Sequence, residues 1–213
     1  MGLAVLPRRD DEARSHLEEV AAQARPLVLA RDRAIGLDGA LGELLPGSAL
    51  ARGSVVRVDS DPVACSLAAA VTAMGEWAAA VDLDGSYGAL AAAEAGVALE
   101  RFAVVRRVPP ARWATVVAAL LEGVTLVLAD VPRGVSLGDA RRLTARARER
   151  AAVLVLHERG DASWPASVAL TLRASGGPWD LAAGHLVARS LQVVVEGRGA
   201  AARPVAGELA RAV

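Results

Sequence analysis

The stretch VTLVLAD, residues 124–130, decides the fold of this chain. Its six apolar or β-branched residues follow Gly123 and end at a charged residue, Asp130. A continuous apolar run of this length between turn and polar residues is typical of a strand that is covered on both faces. The stretch therefore predicts a central strand of a parallel sheet.

Comparable short runs lie on both sides of this stretch and alternate with segments of helical periodicity. The predicted strands are residues 55–58, 79–83, 102–105, 124–129 and 153–156. Helices are predicted between them, among them one that Pro110 opens and one at residues 136–150. Residues 167–172 and 188–196 predict a hairpin-like edge. This alternation predicts an α/β fold, a mostly parallel sheet flanked by helices.

The length of 213 residues allows one globular domain with extensions. Residues 1–30 have apolar residues at helical spacing and are predicted to form an N-terminal helical extension. The core domain is predicted to span residues 31–196, beginning with a short helix and a turn within residues 36–53. Residues 197–213 show little patterning and are predicted to be a mobile C-terminal tail.

The charge balance excludes an overall electrostatic attraction to nucleic acid or membrane. The 24 basic residues, all of them arginine, balance 24 acidic residues, so any such contact must be local. Cys65 is the lone cysteine and cannot form an internal disulfide or a multi-cysteine zinc site. No apolar run reaches the length of a membrane span. We therefore expect a cytoplasmic protein with no membrane contact.

The order of motifs resembles the RecA-type ATPase core over roughly residues 37–196. The segment LPGSALARGSVVRV at 45–58 precedes a helix, a strand ending DLD at 82–84, and the VTLVLAD strand. The resemblance implies a RecA-like sheet with a phosphate-binding loop after the first of these strands. It places Asp84 where the catalytic acid of the family ends the second strand, and Asp130 at its Walker B aspartate. Without phosphate and magnesium, strand-end carboxylates of this kind are expected to be solvated rim residues.

The phosphate loop is degenerate. Such a loop needs glycines whose backbone N–H groups surround phosphate, and a lysine that reaches the terminal phosphates. Residues 59–66 read DSDPVACS, so Asp59 and Ala64 replace the glycines and Cys65 replaces the lysine. Pro62 lacks an N–H donor, and only Ser66 retains a compatible hydroxyl. We therefore predict no cofactor, with Ser66, Asp84 and Asp130 as vestigial nucleotide-site positions.

No other catalytic or metal-binding constellation is recognisable in the sequence. There is no Gly-x-Ser-x-Gly motif, and the histidines at positions 16, 157 and 185 have no paired metal-ligand spacing. A histidine at a strand end, such as His157, is expected to be a hydrogen-bonded cap. The sequence therefore predicts no catalytic residue and no metal ligand, and the protein is interpreted as not an enzyme.

Arginine and tryptophan side chains are the candidate contacts with a partner or with DNA. Arg141, Arg142 and Arg146 lie opposite the apolar stripe of one predicted helix, with little acid beside them, and the alternative is a solvated face. Trp164 and Trp179 lie in segments that contain Gly, Ser and Pro. They are interpreted either as exposed anchors or as residues that close the edge of the core.

Within the RecA superfamily, a short chain with a lost phosphate loop resembles the ImuA group, including the actinobacterial ImuA-prime form. This resemblance implies an accessory protein in the SOS response to DNA damage, where it would serve DNA repair by mutagenic translesion synthesis. Its partners in the mutasome would be an ImuB-like polymerase homologue and RecA. The second hypothesis is a SulA-like division inhibitor that binds FtsZ, and the third is a residual nucleotide-binding ATPase.

Overall fold

The computed structural model of the chain describes residues 33–182 and 185–212. The predicted helical extension at residues 1–30 lies outside them. The strands are β1 Ala34–Gly36, β2 Ala49–Ala51, β3 Val55–Val58, β4 Ala78–Asp82, β5 Phe102–Arg106, β6 Leu126–Asp130, β7 Val153–His157, β8 Leu170–Ala182, β9 His185–Gly197 and β10 Val205–Ala212. The α-helices are α1 Gly39–Leu44, α2 Asp61–Ala73, α3 Ala89–Glu94, α4 Pro110–Leu120 and α5 Leu137–Arg150.

One eight-stranded sheet organises the fold, in the order β10-β9-β8-β3-β7-β6-β4-β5. Every neighbouring pair from β8 to β5 is parallel, whereas β9 is antiparallel to both β8 and β10. The prediction of an α/β protein with a mostly parallel central sheet flanked by helices is therefore confirmed.

The continuous apolar runs form the middle of this sheet because both of its faces are covered. Every residue of β4, β6 and β7 is buried. One apolar cluster packs α1, α2 and α3 against one face, and a second cluster packs α4 and α5 against the other. This packing explains why VTLVLAD shows no alternation of apolar and polar residues.

Local signals fix the ends of the helices that cover the sheet. Pro110 is the first residue of α4, where a missing N–H costs nothing. The hydroxyl of Ser136 accepts a hydrogen bond from the Asp139 N–H at 3.0 Å and caps α5. Ala151 ends α5 in the left-handed conformation. The predicted start and stop of both helices are thus confirmed to within a few residues.

One prediction about the ends of the core is confirmed and one is wrong. Residues 36–53, predicted as a short helix and a turn, contain α1 and the turn at Gly47; β2 follows this turn and pairs antiparallel with β1, a pairing that was not predicted. Residues predicted as a mobile tail contain β10, which pairs with β9 along its whole length. The hairpin prediction is confirmed, but β8 is longer than expected and includes Trp179, which the sequence placed in a connecting segment. In the described part of the chain, no helix has the length and apolarity needed to cross a membrane.

Candidate functional site

The carboxyl edge of the parallel strands brings charged side chains together. Asp82, Asp130 and His157 are the last residues of β4, β6 and β7, and α2 begins with Asp61 just after β3. In open α/β sheets, ligands bind at this edge. We call Asp61, Tyr87, Asp130, His157 and Arg159 the edge cluster.

Asp130 is the buried acid of the edge cluster, with 2% of its surface exposed. Its Oδ2 accepts a hydrogen bond from the Leu83 N–H at 2.9 Å. Its Oδ1 lies 3.4 Å from His157 Nδ1 and 3.5 Å from Arg159 Nε. Burial favours the neutral acid, but His157, the Leu83 N–H and Arg159 together hold the pKa of Asp130 below its usual value. Asp130 is therefore a carboxylate at neutral pH.

Arg159 supplies the cation of the cluster. One of its Nη atoms contacts Asp61 Oδ1 and lies 2.6 Å from Ser86 Oγ, while its Nε faces Asp130. Burial disfavours its charge, yet Asp61 and Asp130 outweigh that effect and raise the pKa of Arg159. The guanidinium therefore bridges the start of α2 and the end of β6.

Tyr87 and His157 close the buried side of the cluster. Tyr87 Oη lies 3.1 Å from His157 Nδ1, and both side chains are buried. The same histidine nitrogen lies 3.4 Å from Asp61 Oδ1. Burial and the charges of Asp130 and Asp61 raise the pKa of Tyr87 well above its usual value, so the phenol stays neutral. The interior of the cluster thus joins Tyr87 and His157 by a hydrogen bond, whereas Asp130 Oδ1 and Arg159 Nε contact each other only as an ion pair at 3.5 Å.

Asp82 has a structural role beside the cluster. Its carboxylate accepts hydrogen bonds from the Gly85 N–H at 2.8 Å and the Ser86 N–H at 2.9 Å. Arg106 Nε, on the edge strand β5, donates to the other oxygen at 2.9 Å. The acid that ends β4 is therefore Asp82, whereas Asp84 is an exposed residue of the following turn. The sequence prediction that Asp84 ends this strand is wrong by two residues.

Residues 43–166 match the family described as the MT3502 N-terminal domain, which is more than half of the chain. The chain belongs to the MT3502 N-terminal domain family. No curated protein matches it. The matched region includes all five residues of the edge cluster and strands β3 to β7, and it ends before β8.

The vestigial positions of this MT3502 N-terminal domain protein do not form one site. Asp84 and Asp130 line the same cavity, of about 410 Å³, together with Arg159. Ser66 lies elsewhere, and its hydroxyl donates to the Pro62 carbonyl one turn earlier in α2, at 2.9 Å. The expectation of a solvated rim holds for the exposed Asp84 but is wrong for the buried Asp130.

The two tryptophans have different environments. Trp164 is 4% exposed and packs edge-on against Trp113, with ring centroids 6.4 Å apart. It therefore closes the core, and its interpretation as an exposed contact is wrong. Trp179 is 41% exposed, and the Arg189 guanidinium lies 5.4 Å from its ring centroid. Trp179 remains a candidate contact, and it lies outside the region that matches the MT3502 N-terminal domain.

Two of the three candidate arginines form ion pairs with acidic residues, whereas the sequence predicted little acid beside them. Arg142 pairs with Asp139 at 2.8 Å, and Arg146 pairs with Glu122. Arg141 is exposed and has no ion pair within residues 33–182 and 185–212. The sequence therefore overstated the free positive charge of this helix.

Sequence reasoning missed Arg159, Tyr87 and the inward role of Asp61. The signal for Arg159 is its place two residues after His157, because β7 ends there and the chain turns over the carboxyl edge. Arg159 contacts Asp61 and Ser86, which are 98 and 73 residues away from it along the chain. No local pattern indicates such contacts.

Proposed function

We propose that this protein is a non-catalytic, RecA-like accessory protein that binds protein partners in damage-induced translesion synthesis. The arrangement of the carboxyl edge supports the RecA-like part of the proposal. The loop that would bind phosphate follows β3, an acid ends β4, and the VTLVLAD strand β6 ends in Asp130. Because β3, β6 and β4 are parallel members of one sheet, these three features lie at one edge, as the resemblance to RecA-type ATPases requires.

Arg159 carries the non-catalytic part of the proposal. Its guanidinium already neutralises Asp61 and Asp130, the acids nearest to the place where a phosphate and its metal ion would lie. A polyphosphate would have to displace this cation and then face both carboxylates. The degenerate loop offers little in return, because Pro62 has no N–H and the chain has no lysine.

The partner class follows from the resemblance to the ImuA group. An ImuB-like polymerase homologue is the proposed principal partner, and RecA is a second one. A protein without a catalytic constellation acts through its surfaces, and exposed arginine and tryptophan side chains are common anchors of protein interfaces. Among the predicted contacts, Arg141, Arg142 and Trp179 are exposed, and Arg142 is paired with Asp139, so Arg141 and Trp179 are the stronger candidates.

Calorimetric titration with Mg-ATP tests the non-catalytic part. We expect no saturable heat in the micromolar range and no ATP hydrolysis, because Arg159 holds the acids and no lysine is available to bind phosphate. An Asp130→Asn variant serves as the matched control and should also give no heat. Saturable micromolar binding to the unmodified protein that is lost in Asp130→Asn would instead support the nucleotide-binding alternative.

Damage-induced mutagenesis tests the role in translesion synthesis. Deleting the gene should lower the frequency of mutations after DNA damage, and the unmodified gene should restore it. Overproducing the protein in undamaged cells distinguishes this proposal from the second hypothesis, because an inhibitor that binds FtsZ would produce filamentous cells. An unchanged mutation frequency in the deletion strain would contradict the proposal. If overproduction also caused filamentation, the role in division control would be favoured.

A further inference from the structure

Helix α5 has one flank on which its arginines are neutralised. Arg142 Nη2 lies 2.8 Å from Asp139 Oδ1. Glu122, in the turn after α4, pairs with both Arg146 and Arg150, and the latter distance is 2.5 Å. These ion pairs join α5 to its neighbour and leave little net charge on this flank.

The other two arginines of α5, Arg141 and Arg148, have no ion pair among the residues that the structure describes. They are exposed and seven positions apart, so they lie on the same side of the helix about 10 Å apart along its axis. The backbone of Arg148 packs against Gly53, where a Cβ atom would lie 3.1 Å from Arg148 Cα and the φ angle is +78°. This contact fixes the end of α5 on the core.

Arg141 and Arg148 line an apolar groove of about 570 Å³ between α5 and residues 165–167. Leu137 lies at its start and is 44% exposed, although it is a large apolar residue. Ala145 and Pro165 also line the groove. The hydroxyl of Thr144, the polar group between the arginines, donates within the helix to the Ala140 carbonyl. The groove therefore offers apolar contact flanked by two unneutralised guanidinium groups.

We propose that this groove binds an acidic amphipathic helix of a partner protein. Two carboxylates two turns apart on that helix contact Arg141 and Arg148, and an apolar side chain beside them packs on Leu137 and Ala145. Guanidinium groups suit carboxylates because they donate two parallel hydrogen bonds. The biological role of this partner rests on the proposed function. Binding of the helix to the groove can be measured whether or not the proposed function is correct.

The charges of α5 favour a protein ligand over DNA. Affinity for DNA increases with the number of phosphates that basic side chains neutralise, and only Arg141 and Arg148 are available here. The flank that contains Glu122 and Asp139 has little net charge, so it adds no attraction for a phosphate backbone that followed the helix. The apolar floor of the groove also matches the core of a protein interface.

Fluorescence anisotropy with a labelled peptide and the full chain tests the inference. The probe is a synthetic helical peptide with two glutamates two turns apart beside a stripe of leucines. We expect saturable binding that weakens as salt increases. The double variant Arg141→Glu/Arg148→Glu should bind about tenfold more weakly or worse, because attraction becomes repulsion at both positions. A Leu137→Ser variant should also bind more weakly.

The matched control is Arg112→Glu, which reverses an exposed arginine at the start of α4 and should leave peptide affinity unchanged. A peptide with lysines in place of both glutamates should not bind. The inference would be overturned by any of three results. The acidic peptide does not bind saturably, it binds the double variant as tightly as the unmodified protein, or a DNA duplex binds the unmodified protein more tightly than the peptide does. If the double variant loses the peptide while mutagenesis in the deletion strain is unchanged, the groove assignment stands and the proposed function fails.

Discussion

Replacing Arg159 by methionine removes the cation of the edge cluster while keeping a long apolar side chain. The perturbation leaves Asp130, whose side chain is 3% exposed, without its guanidinium partner. Removing one member of a buried ion pair costs about 3–5 kcal/mol. Arg159 and Asp61 are 31% and 35% exposed, so water screens part of the interaction, and the Leu83 N–H still binds Asp130. We therefore expect a loss of about 2–3 kcal/mol in the free energy of unfolding at pH 7.

The effect of pH provides a signature that a loss of packing would not show. In the unmodified protein the pKa of Asp130 is held below its usual value, so its contribution to stability is complete above about pH 4 and is lost as the pH falls through the folded pKa. Without Arg159, one of the charges that lower the pKa of Asp130 is gone, so this pKa rises. A protonated Asp130 needs no cation, so the stability difference between the two proteins should narrow as the pH falls from 7 through the pKa of Asp130 in the variant.

Urea unfolding at several pH values measures this difference, and thermal unfolding at pH 7 should show a midpoint lower by about 5–10 °C for a chain of this size. Arg133→Met is the matched control, because its ion pair with Asp161 is 79% and 85% exposed and should contribute less than about 1 kcal/mol. A double-mutant cycle with Asp130→Asn should give a coupling of about 1–3 kcal/mol. The reasoning would be refuted if Arg159→Met and Arg133→Met were equally stable. It would also be refuted if the stability difference between Arg159→Met and the unmodified protein did not change with pH.

Three further substitutions test the packing. Leu126→Asp should abolish soluble folding, because Leu126 is completely buried. Burying an unpaired carboxylate there costs several kcal/mol, against a total stability of about 5–15 kcal/mol. A soluble variant with an unchanged melting curve would contradict the position of β6. Trp164→Ala should destabilise the protein by about 3–5 kcal/mol, because Trp164 packs against Trp113. Trp179→Ala should cost clearly less than Trp164→Ala, because the Trp179 side chain is 41% exposed and its ring makes a cation–π contact with Arg189. Similar losses in the two tryptophan variants would contradict their assigned environments.

The strands of the parallel sheet were predictable because their burial leaves a local signature. β4, β6 and β7 are short, mostly apolar runs whose residues are all buried. A strand that is covered on both faces has such a run in its sequence, so the sequence alone identifies it. β10 left no such signature. Its sequence, VAGELARA, is a strand because β9 offers an antiparallel partner, and this partner is a property of the folded chain. The prediction of a mobile tail failed for this reason.

The candidate site was predictable only where a motif ends a strand. Asp130 follows from VTLVLAD, and its burial became evident only when the neighbouring strand placed His157 beside it in register. The ion pairs of α5 show the same limit, because Glu122 lies in another element and reaches two arginines across the surface. Charge counted along a single helix therefore overestimated the positive surface, and the distances across elements decided which arginines remain available.

Arg159 also bears on how the protein would be regulated. A ligand shifts a conformational equilibrium only through a difference in affinity between two states, and a bound nucleotide can leave when its concentration falls. Arg159 is part of the chain, so the cation between Asp61 and Asp130 is present whenever the protein is folded. On the proposed non-catalytic function, the carboxyl edge does not alternate between a nucleotide-loaded and an empty state. Partner affinity should accordingly be the same with and without Mg-ATP, and the extent of partner binding would follow the amount of protein in the cell.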